Sequence, residues 1–247
     1  MLKKVISVIL AFILIGTIIF FIIDEPVPQG VKGEKVEALT DSMFLAINYD
    51  AWQNTNIISW EFPGGHIHTW DKKRNFSIVE WDNHKVVFQI DSLKGIAYEN
   101  GSKVEDKESA PLIKKAWEFW ANDSFWLNAP AKVRDGGTER QLVKLEDGTN
   151  GILVLYHGGG VTPGDKYLWV LDKNYMPLYC KMWVSIIPIG GVKFTWENWL
   201  SLSTGAKVAQ DHEGIIGVGL KNIKAGSTVS SLYPNGDPFE ELIGILD

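Results

Sequence analysis

Hydrophobic positions recur with a helical period in two places along the chain. Apolar residues three or four apart predict an amphipathic helix over residues 35–52. A second helix is indicated by Ser109, by Pro111 in its first turn and by an apolar stripe that ends at Trp120. Most other apolar positions alternate with polar ones, which is typical of strands.

The alternating segments predict two runs of antiparallel strands. The first run is a meander at about residues 56–62, 66–72, 75–82, 84–91 and 95–99. The second run lies at about residues 139–146, 151–157, 166–172, 177–187, 191–203 and 206–212. Asp147-Gly148 and Gly190-Gly191 are the expected hairpin turns. The alternation changes phase at Glu197, which predicts a bulge.

The N-terminus carries an apolar run long enough to span a membrane. Residues 5–23 lack charge, and as a helix they would reach about 28 Å, close to the roughly 30 Å of bilayer hydrocarbon. Lys3 and Lys4 precede the run while Asp24 and Glu25 follow it, so the positive-inside rule places the N-terminus in the cytoplasm and the rest outside. We expect an uncleaved single-pass anchor, with a cleaved signal peptide as the alternative. The predicted organisation is an anchor at 1–23, a linker at 24–33 and one extracytoplasmic domain at 34–247, whose last residues, about 239–246, form a short helix or strand.

Composition excludes several classes of protein. The 247 residues are 45% hydrophobic and 22% charged, which is ordinary globular usage and excludes a disordered, collagen-like or polytopic membrane protein. The 24 basic and 30 acidic residues give a net charge of −6, which argues against nucleic-acid binding because that requires a basic face.

Signatures of catalysis are incomplete in this sequence. Cys180 is the single cysteine and alternates with apolar residues, so we expect a small buried side chain and no intrachain disulfide. Residues 156–160 resemble the H-G-G-G oxyanion loop of esterases, but the chain has no G-x-S-x-G nucleophile elbow. Carboxylate pairs such as Glu61 with Asp71 are interpreted as solvated residues. The sequence therefore predicts no catalytic residues.

Two histidines have a spacing that suits metal binding. His66 and His68 lie two apart on a predicted strand, so both rings should point to one face. His84, His157 and His212 are distant in sequence, and no closely spaced carboxylate or thiol completes a cluster. We therefore expect no metal site and no cofactor.

Aromatic side chains are concentrated in one segment. Five of them fall between Trp117 and Trp126, spread over more than one helical face. They either plug the concave side of a sheet or line and gate a cavity for an apolar ligand. On the second interpretation, the ligand-binding candidates are Trp117, Trp120, Phe125, Trp126 and Leu127 in this segment, and Trp169, Trp183, Phe194 and Trp196 on predicted strands.

The order of these elements resembles the LolA/LolB-like lipoprotein-carrier superfamily. The local likeness lies in Phe125–Pro130, in Tyr167–Asp172 and in the strand pair from Met176 to Leu202, and the resemblance covers residues 33–213. It implies an α+β fold, mainly antiparallel, in which a curled, unclosed half-barrel wraps around helices. It further implies a hydrophobic cavity for lipid or lipoprotein acyl chains and no bond chemistry.

The sequence departs from the carriers in ways that bear on function. A retained anchor would confine the domain to one membrane surface, and no N-terminal cysteine is present for lipidation. Arg74 and Arg134 are the candidates for the arginine in the carriers' cavity, and surface roles are the favoured alternative for both. We expect non-catalytic binding of a lipid, a lipoprotein acyl chain or a similar apolar ligand at the outer, periplasmic face of a membrane. The alternatives are an envelope sensory or protein-interaction module with a filled concavity, and an unrecognised hydrolase.

Overall fold

A computed structural model of the chain describes residues 24–158 and 164–246. The predicted anchor at 1–23 lies outside these residues, as do Gly159 and Gly160 of the glycine-rich segment. Within the two described stretches, no helix is both long enough and apolar enough to cross a membrane.

Two helices replace the single one predicted over residues 35–52. Helix α1 runs over Glu34–Ala46 and helix α2 over Tyr49–Gln53. The break falls at Asn48, whose φ of 55° lies in the left-handed region that asparagine tolerates better than most residues. The Asn48 side chain donates a hydrogen bond of 2.8 Å to the Gly205 carbonyl, which fixes the break against a distant turn.

The predicted meander forms most of a seven-stranded antiparallel sheet. Its strands are β1 (Ile57–Phe62), β2 (His66–Asp71), β3 (Phe76–Trp81), β4 (His84–Gln89), β5 (Gly95–Glu99) and β6 (Ser102–Lys103), with β15 (Lys221–Gly226) from the C-terminal region. The spatial order is β15-β1-β2-β3-β4-β5-β6. The meander prediction is therefore confirmed, whereas the pairing of β15 with β1 was not predicted.

The second run of strands divides into two sheets. A five-stranded sheet has the order β11-β10-β9-β8-β7 and a three-stranded sheet the order β12-β13-β14. Their bounds are β7 (Thr138–Lys144), β8 (Asn150–Tyr156), β9 (Lys166–Leu171), β10 (Pro177–Trp183), β11 (Val192–Thr195), β12 (Glu197–Ser201), β13 (Lys207–His212) and β14 (Val218–Gly219).

The strand predicted over 191–203 is divided at Trp196. The phase change there marks a passage from the five-stranded to the three-stranded sheet, rather than a bulge within one strand. Asn198 adopts a φ of 51° and donates a hydrogen bond of 2.5 Å to Asp211 on β13, which holds the turned backbone.

Helix α3 (Asp106–Asn128) packs against β3, β4 and β5 of the large sheet and against β13 of the small one. It begins before Ser109, so Pro111 lies in the second turn and not, as predicted, in the first. A 3₁₀ turn over Ala129–Lys132 follows the helix. Helix α3 therefore lies between sheets, and its buried side chains join the largest hydrophobic core.

The C-terminal segment covers a different region of the large sheet. It ends in helix α4 (Glu240–Leu246), so the helical alternative for this segment is the correct one. Phe239 and Leu242 form a separate core with Ile57, Phe76 and other residues of the large sheet. The architecture is mainly antiparallel, with few helices and with sheets that do not close, as expected.

Candidate functional site

Helix α3 presents aromatic rings to the large sheet. The ring of Trp120 contacts Trp70 edge to face, with centroids 5.3 Å apart. The ring of Phe119 lies 3.8 Å from that of His66 and 5.4 Å from that of Trp81. This half of the helix therefore packs against β2 and β3 through rings.

The last turns of α3 present rings toward the second group of strands. Trp126 stacks on Trp196 with centroids 5.8 Å apart and contacts Phe194 at 4.8 Å. Trp196 also contacts Phe125 at 6.1 Å and Trp169 at 4.7 Å. Five of the nine predicted ligand-binding residues therefore meet around Trp196.

The other predicted residues are distributed around this cluster. Leu127 is buried in the same core, Trp120 faces β2, and Trp117 is partly buried against the core. Trp183 is separate, because it packs with Val143, Leu153 and their neighbours in another core of the five-stranded sheet. The structure therefore does not bring Trp183 to the aromatic site.

The interior around Trp196 is occupied by the protein's own side chains. Leu127, Trp169, Phe194 and Trp196 are each at most 4% exposed. A cavity beside Leu127 and Trp199 has a volume of about 10 Å³, which is no more than one water molecule requires. In this conformation, the cavity has no room for an acyl chain beside these residues.

The rings of α3 itself are less completely covered. Trp117, Phe119, Trp120, Phe125 and Trp126 are all partly buried. None of the five belongs to the strongly exposed apolar side chains of the described structure, yet each keeps some contact with solvent. The helix is thus the part of the aromatic interior closest to solvent.

A polar cluster lies among these rings where side chains of α3 reach β2. Asp123 Oδ2 is 2.8 Å from His66 Nδ1 and 2.7 Å from His68 Nε2. The His68 side chain is fully buried, that of Asp123 is 1% exposed and that of His66 is 17% exposed. Asn122 donates a hydrogen bond of 2.9 Å to the other carboxylate oxygen of Asp123.

Burial controls the protonation of His68. Loss of solvent lowers the pKa of His68, and the neighbouring Asp123 carboxylate opposes that shift in part. A neutral imidazole is therefore favoured at His68. The prediction that His66 and His68 share a face is confirmed, but sequence spacing missed Asp123, which lies 55 residues after His68. The one sequence feature that could have revealed Asp123 is its position three residues after Trp120. That spacing places an acidic side chain on the helix face that the apolar stripe predicts to be buried.

The remaining histidines have oxygen partners at separate places in the fold. His84 lies 3.7 Å from Glu99, His157 lies 3.6 Å from Glu139, and His212 Nδ1 lies 3.2 Å from the Thr195 carbonyl. Cys180 is fully buried, and desolvation raises the pKa of its thiol. The prediction of a buried Cys180 is confirmed.

The two candidate cavity arginines form ion pairs elsewhere. Arg74 lies 2.6 Å from Asp71 and 2.5 Å from Asp237, and so fastens the C-terminal segment to the β2–β3 turn. Arg134 pairs with Glu37 and Asp41 of α1. Each arginine thus stabilises an inter-element contact.

A larger cavity lies away from the aromatic rings of α3. It measures about 710 Å³ and is bordered by the β3–β4 turn, by β5 and by the start of α4. Polar and charged groups such as Glu80, Lys85, Tyr98 and Glu241 line it together with a few apolar side chains. This mixed lining does not match the apolar ligand that the sequence predicts.

The first described residues are fastened to the loop between β10 and β11, residues 184–191, here called the β10–β11 loop. Gly190 N donates a hydrogen bond of 2.7 Å to Asp24, and Trp183 Nε1 donates one of 2.7 Å to the Glu25 carbonyl. Gly191 has a φ of 74°, and a Cβ there would lie 2.6 Å from the Glu25 Cβ. Both the backbone conformation and the lack of space for a side chain therefore require glycine at this position. The same loop exposes Ile186, whose side chain is 71% accessible.

Comparisons with known proteins add little to the fold assignment. No family model and no curated protein matches this chain. Among solved structures, a DUF1329 family protein from Desulfovibrio piger is similar over 81% of this chain and 97% of its own length, with a TM-score of 0.42 and 9% sequence identity. A similarity of this size does not identify a fold family, so the LolA/LolB-like resemblance stays a prediction.

Proposed function

We propose that the domain is a LolA-like half-barrel that binds a lipid, a lipoprotein acyl chain or a similar apolar ligand without catalysis. The observation that carries the proposal is the partial exposure of all five large aromatic rings of α3. A ligand that covers these rings removes apolar surface from water, which is worth about 25 cal/mol for each Å².

Helix α3 is the element that moves to admit the ligand. The rings of Phe125 and Trp126 separate it from Tyr167, Phe194 and Trp196 on the strands. A shift of the helix would replace these ring contacts by contacts with methylene groups, so the apolar burial lost on opening is regained on binding. For scale, a chain of about a dozen methylenes at ~0.8 kcal/mol each contributes on the order of 10 kcal/mol before ordering costs.

The proposed location is the outer face of a membrane. The apolar run at 5–23 ends directly before Asp24, and Asp24 is held on the β10–β11 loop. An anchor that leaves the bilayer at this point would place the loop, with Ile186 exposed, at the membrane surface. The ligand would then be taken from or delivered to the same surface.

The test uses the full-length protein in vesicles that contain a phospholipid with a photoactivatable diazirine in one acyl chain. After irradiation, the labelled peptides are mapped by mass spectrometry. We expect adducts in the peptides that carry residues 117–127, 167–171 and 192–196, in addition to those from the membrane run at 5–23 and from the β10–β11 loop at the membrane surface. Mapping is essential because the anchor contacts lipid whether or not the domain binds any.

Two variants and a control sharpen this test. Replacing Trp120 and Trp126 by Ala removes two of the partly buried rings and should lower labelling of α3 peptides about tenfold, equivalent to about 1.4 kcal/mol. Tyr179→Ala is the matched control, because Tyr179 is a partly buried aromatic ring on β10 that packs in the separate core with Val143 and Leu153. Labelling confined to the anchor and the β10–β11 loop, or equal in the double variant and the control, would refute the proposal.

The second candidate is an envelope sensory or protein-interaction module with a filled concavity. It is favoured by the nearly complete burial of Trp169, Phe194 and Trp196. The same irradiation experiment separates the two functions. A module of this kind would give no lipid adducts in α3 or in the strand residues around Trp196, and a crosslinker on its surface would capture one specific polypeptide in native membranes.

A further inference from the structure

We infer that His66, His68 and Asp123 bind one divalent transition-metal ion, with zinc as the preferred ion. One ligand atom from each side chain lies within 4.8 Å of the other two. Strand β2 supplies both histidines and α3 supplies the carboxylate, so the site joins two separate elements. The inference does not depend on lipid binding.

The donor set suits zinc chemically. Zinc is bound by imidazole nitrogen and carboxylate oxygen, and three protein ligands leave a fourth position for water or another small ligand. His66 Nδ1 and His68 Nε2 both face the same carboxylate oxygen of Asp123, so the three ligand atoms already converge on one place. A coordinated ion would also supply positive charge to the Asp123 carboxylate, which is 1% exposed and has no lysine or arginine among its hydrogen-bond partners in the described structure.

The geometry requires a small adjustment. His66 Nδ1 and His68 Nε2 now lie at 2.8 and 2.7 Å from the same carboxylate oxygen. Zinc bonds of 2.0–2.1 Å in a tetrahedron separate the ligand atoms by roughly 3.3 Å. Each imidazole nitrogen must therefore retreat from Asp123 Oδ2 by about half an ångström, a change that rotations of the side chains can supply.

Neighbouring rings hold the two imidazoles in position. Trp60 stacks on His68 with centroids 4.5 Å apart, and Phe119 lies over His66 at 3.8 Å. Asn122 orients the carboxylate from its other oxygen. His66, the one partly exposed ligand, gives an ion access from solvent. His68 Nδ1 has no hydrogen-bond partner among the described side chains and backbone, so the site should hold zinc more weakly than one with a complete outer shell.

The inference is tested with full-length protein in detergent, stripped of metal by a chelator and then dialysed. Calorimetric titration with zinc should show one ion bound per chain. Titration with cobalt(II) should produce the intense visible absorption of a tetrahedral site. Zinc should also raise the thermal midpoint, because an ion that binds only the folded state stabilises it.

The variants distinguish this site from other histidines. His66→Gln should weaken zinc binding at least about tenfold, since even loss of an outer-shell partner has that effect. His66 is partly exposed, so this variant should fold, and its thermal midpoint in chelator should stay close to that of the unmodified protein. His84→Gln is the matched control, because His84 also lies on the large sheet beside a carboxylate, at 3.7 Å from Glu99.

Two results would overturn the inference. One is the absence of stoichiometric zinc binding by the unmodified protein. The other is equal zinc affinity in His66→Gln and His84→Gln, which would place any bound ion elsewhere. In either case the three side chains form only a hydrogen-bonded contact between β2 and α3. Failure of lipid labelling would leave these metal measurements unaffected, so the two proposals fail independently.

Discussion

His68 Nε2 lies 2.7 Å from Asp123 Oδ2, and this contact joins the large sheet to α3 inside a core made largely of aromatic rings. Both side chains are almost completely buried. An ionised carboxylate is costly to bury, so its hydrogen bonds must compensate for the water that it loses. The position of α3 is therefore fixed by polar contacts as well as by ring packing.

Removal of the Asp123 charge should loosen α3. In the presence of a chelator, Asp123→Asn should lower the free energy of unfolding by about 2 kcal/mol, because hydrogen bonds to a charged group are worth about 1.5–3 kcal/mol. Urea denaturation followed by circular dichroism measures this loss. Asp135→Asn is the control, since Asp135 is an exposed carboxylate paired with Lys132 and should change stability by less than about 0.5 kcal/mol. Equal effects of the two substitutions would contradict the interpretation.

The burial of His212 should make stability depend on pH. Desolvation lowers its pKa from 6.5 to about 4 in the folded protein. Between these two pKa values, the unfolded chain therefore binds a proton at His212 more readily than the folded protein does. The contribution of His212 to stability is fully present above pH 6.5 and is lost as the pH falls toward 4. One such proton contributes a slope of about 1.4 kcal/mol per pH unit.

Urea midpoints measured between pH 4 and 7 check this expectation. His212→Gln should reduce the slope, and part of it should remain because burial also lowers the pKa of His68. His157→Gln is the control substitution, at a histidine whose side chain is 61% exposed. A slope that is the same in His212→Gln and in the unmodified protein would show that other groups cause the loss.

The ring of Trp196 should carry much of the stability of the aromatic interior. It is 2% exposed and contacts Phe125, Trp126 and Trp169. Trp196→Ala should cost about 3–5 kcal/mol in the free energy of unfolding, as expected for truncation of a large buried ring. Trp199→Ala should cost clearly less, because Trp199 is only partly buried. Denaturation curves for the two variants give the comparison, and similar losses would mean that Trp196 is not central to this core.

Much of the strand arrangement was predictable because alternation is a local property. The five strands of the meander begin and end within two residues of their predicted bounds. The position of Trp183 could also be predicted from alternation. Successive strand residues face opposite sides of a sheet, so Cys180 and Trp183, three residues apart, are expected on opposite sides. Cys180 joins the core around Trp196 and Trp183 joins another.

Features that depend on distant contacts were not predictable from local pattern. The β15–β1 pairing joins Gly226 to Ile57 across most of the chain. Asp123 meets His68 only because side chains of α3 reach β2, and a helical pattern does not specify which strand a helix faces. Whether aromatic rings leave a space or fill it depends on how elements pack, and composition alone does not determine that packing.

The thiol of Cys180 should be unreactive until the protein unfolds. Cys180 is fully buried and desolvation raises its pKa, while the thiolate is the reactive form. A colorimetric disulfide reagent should release close to one equivalent of chromophore in denaturant and very little in native buffer. Since Cys180 is the single cysteine, the signal belongs to one site. Full release in native buffer at a similar rate would show that the core around β10 opens readily.

The β10–β11 loop should lie at the membrane surface if the run at 5–23 is an anchor. Ile186 is 71% exposed, in the loop that holds Asp24. Because native Cys180 is buried, a cysteine introduced by Ile186→Cys can be labelled selectively with an environment-sensitive fluorophore in the full-length protein. In vesicles, its emission should shift to the blue and be quenched by brominated lipids.

Tyr175→Cys is the matched control for this measurement. Tyr175 is 48% exposed and lies in the turn before β10, while Ile186 lies after it, so the length of the strand separates the two sites by roughly 20 Å. A fluorophore at Tyr175 should remain in water and resist quenching by the lipids. Equal quenching at both positions would mean that the domain has no preferred face toward the bilayer. Quenching at Tyr175 alone would mean that the opposite end of β10 faces the lipid, and the proposed orientation would be wrong.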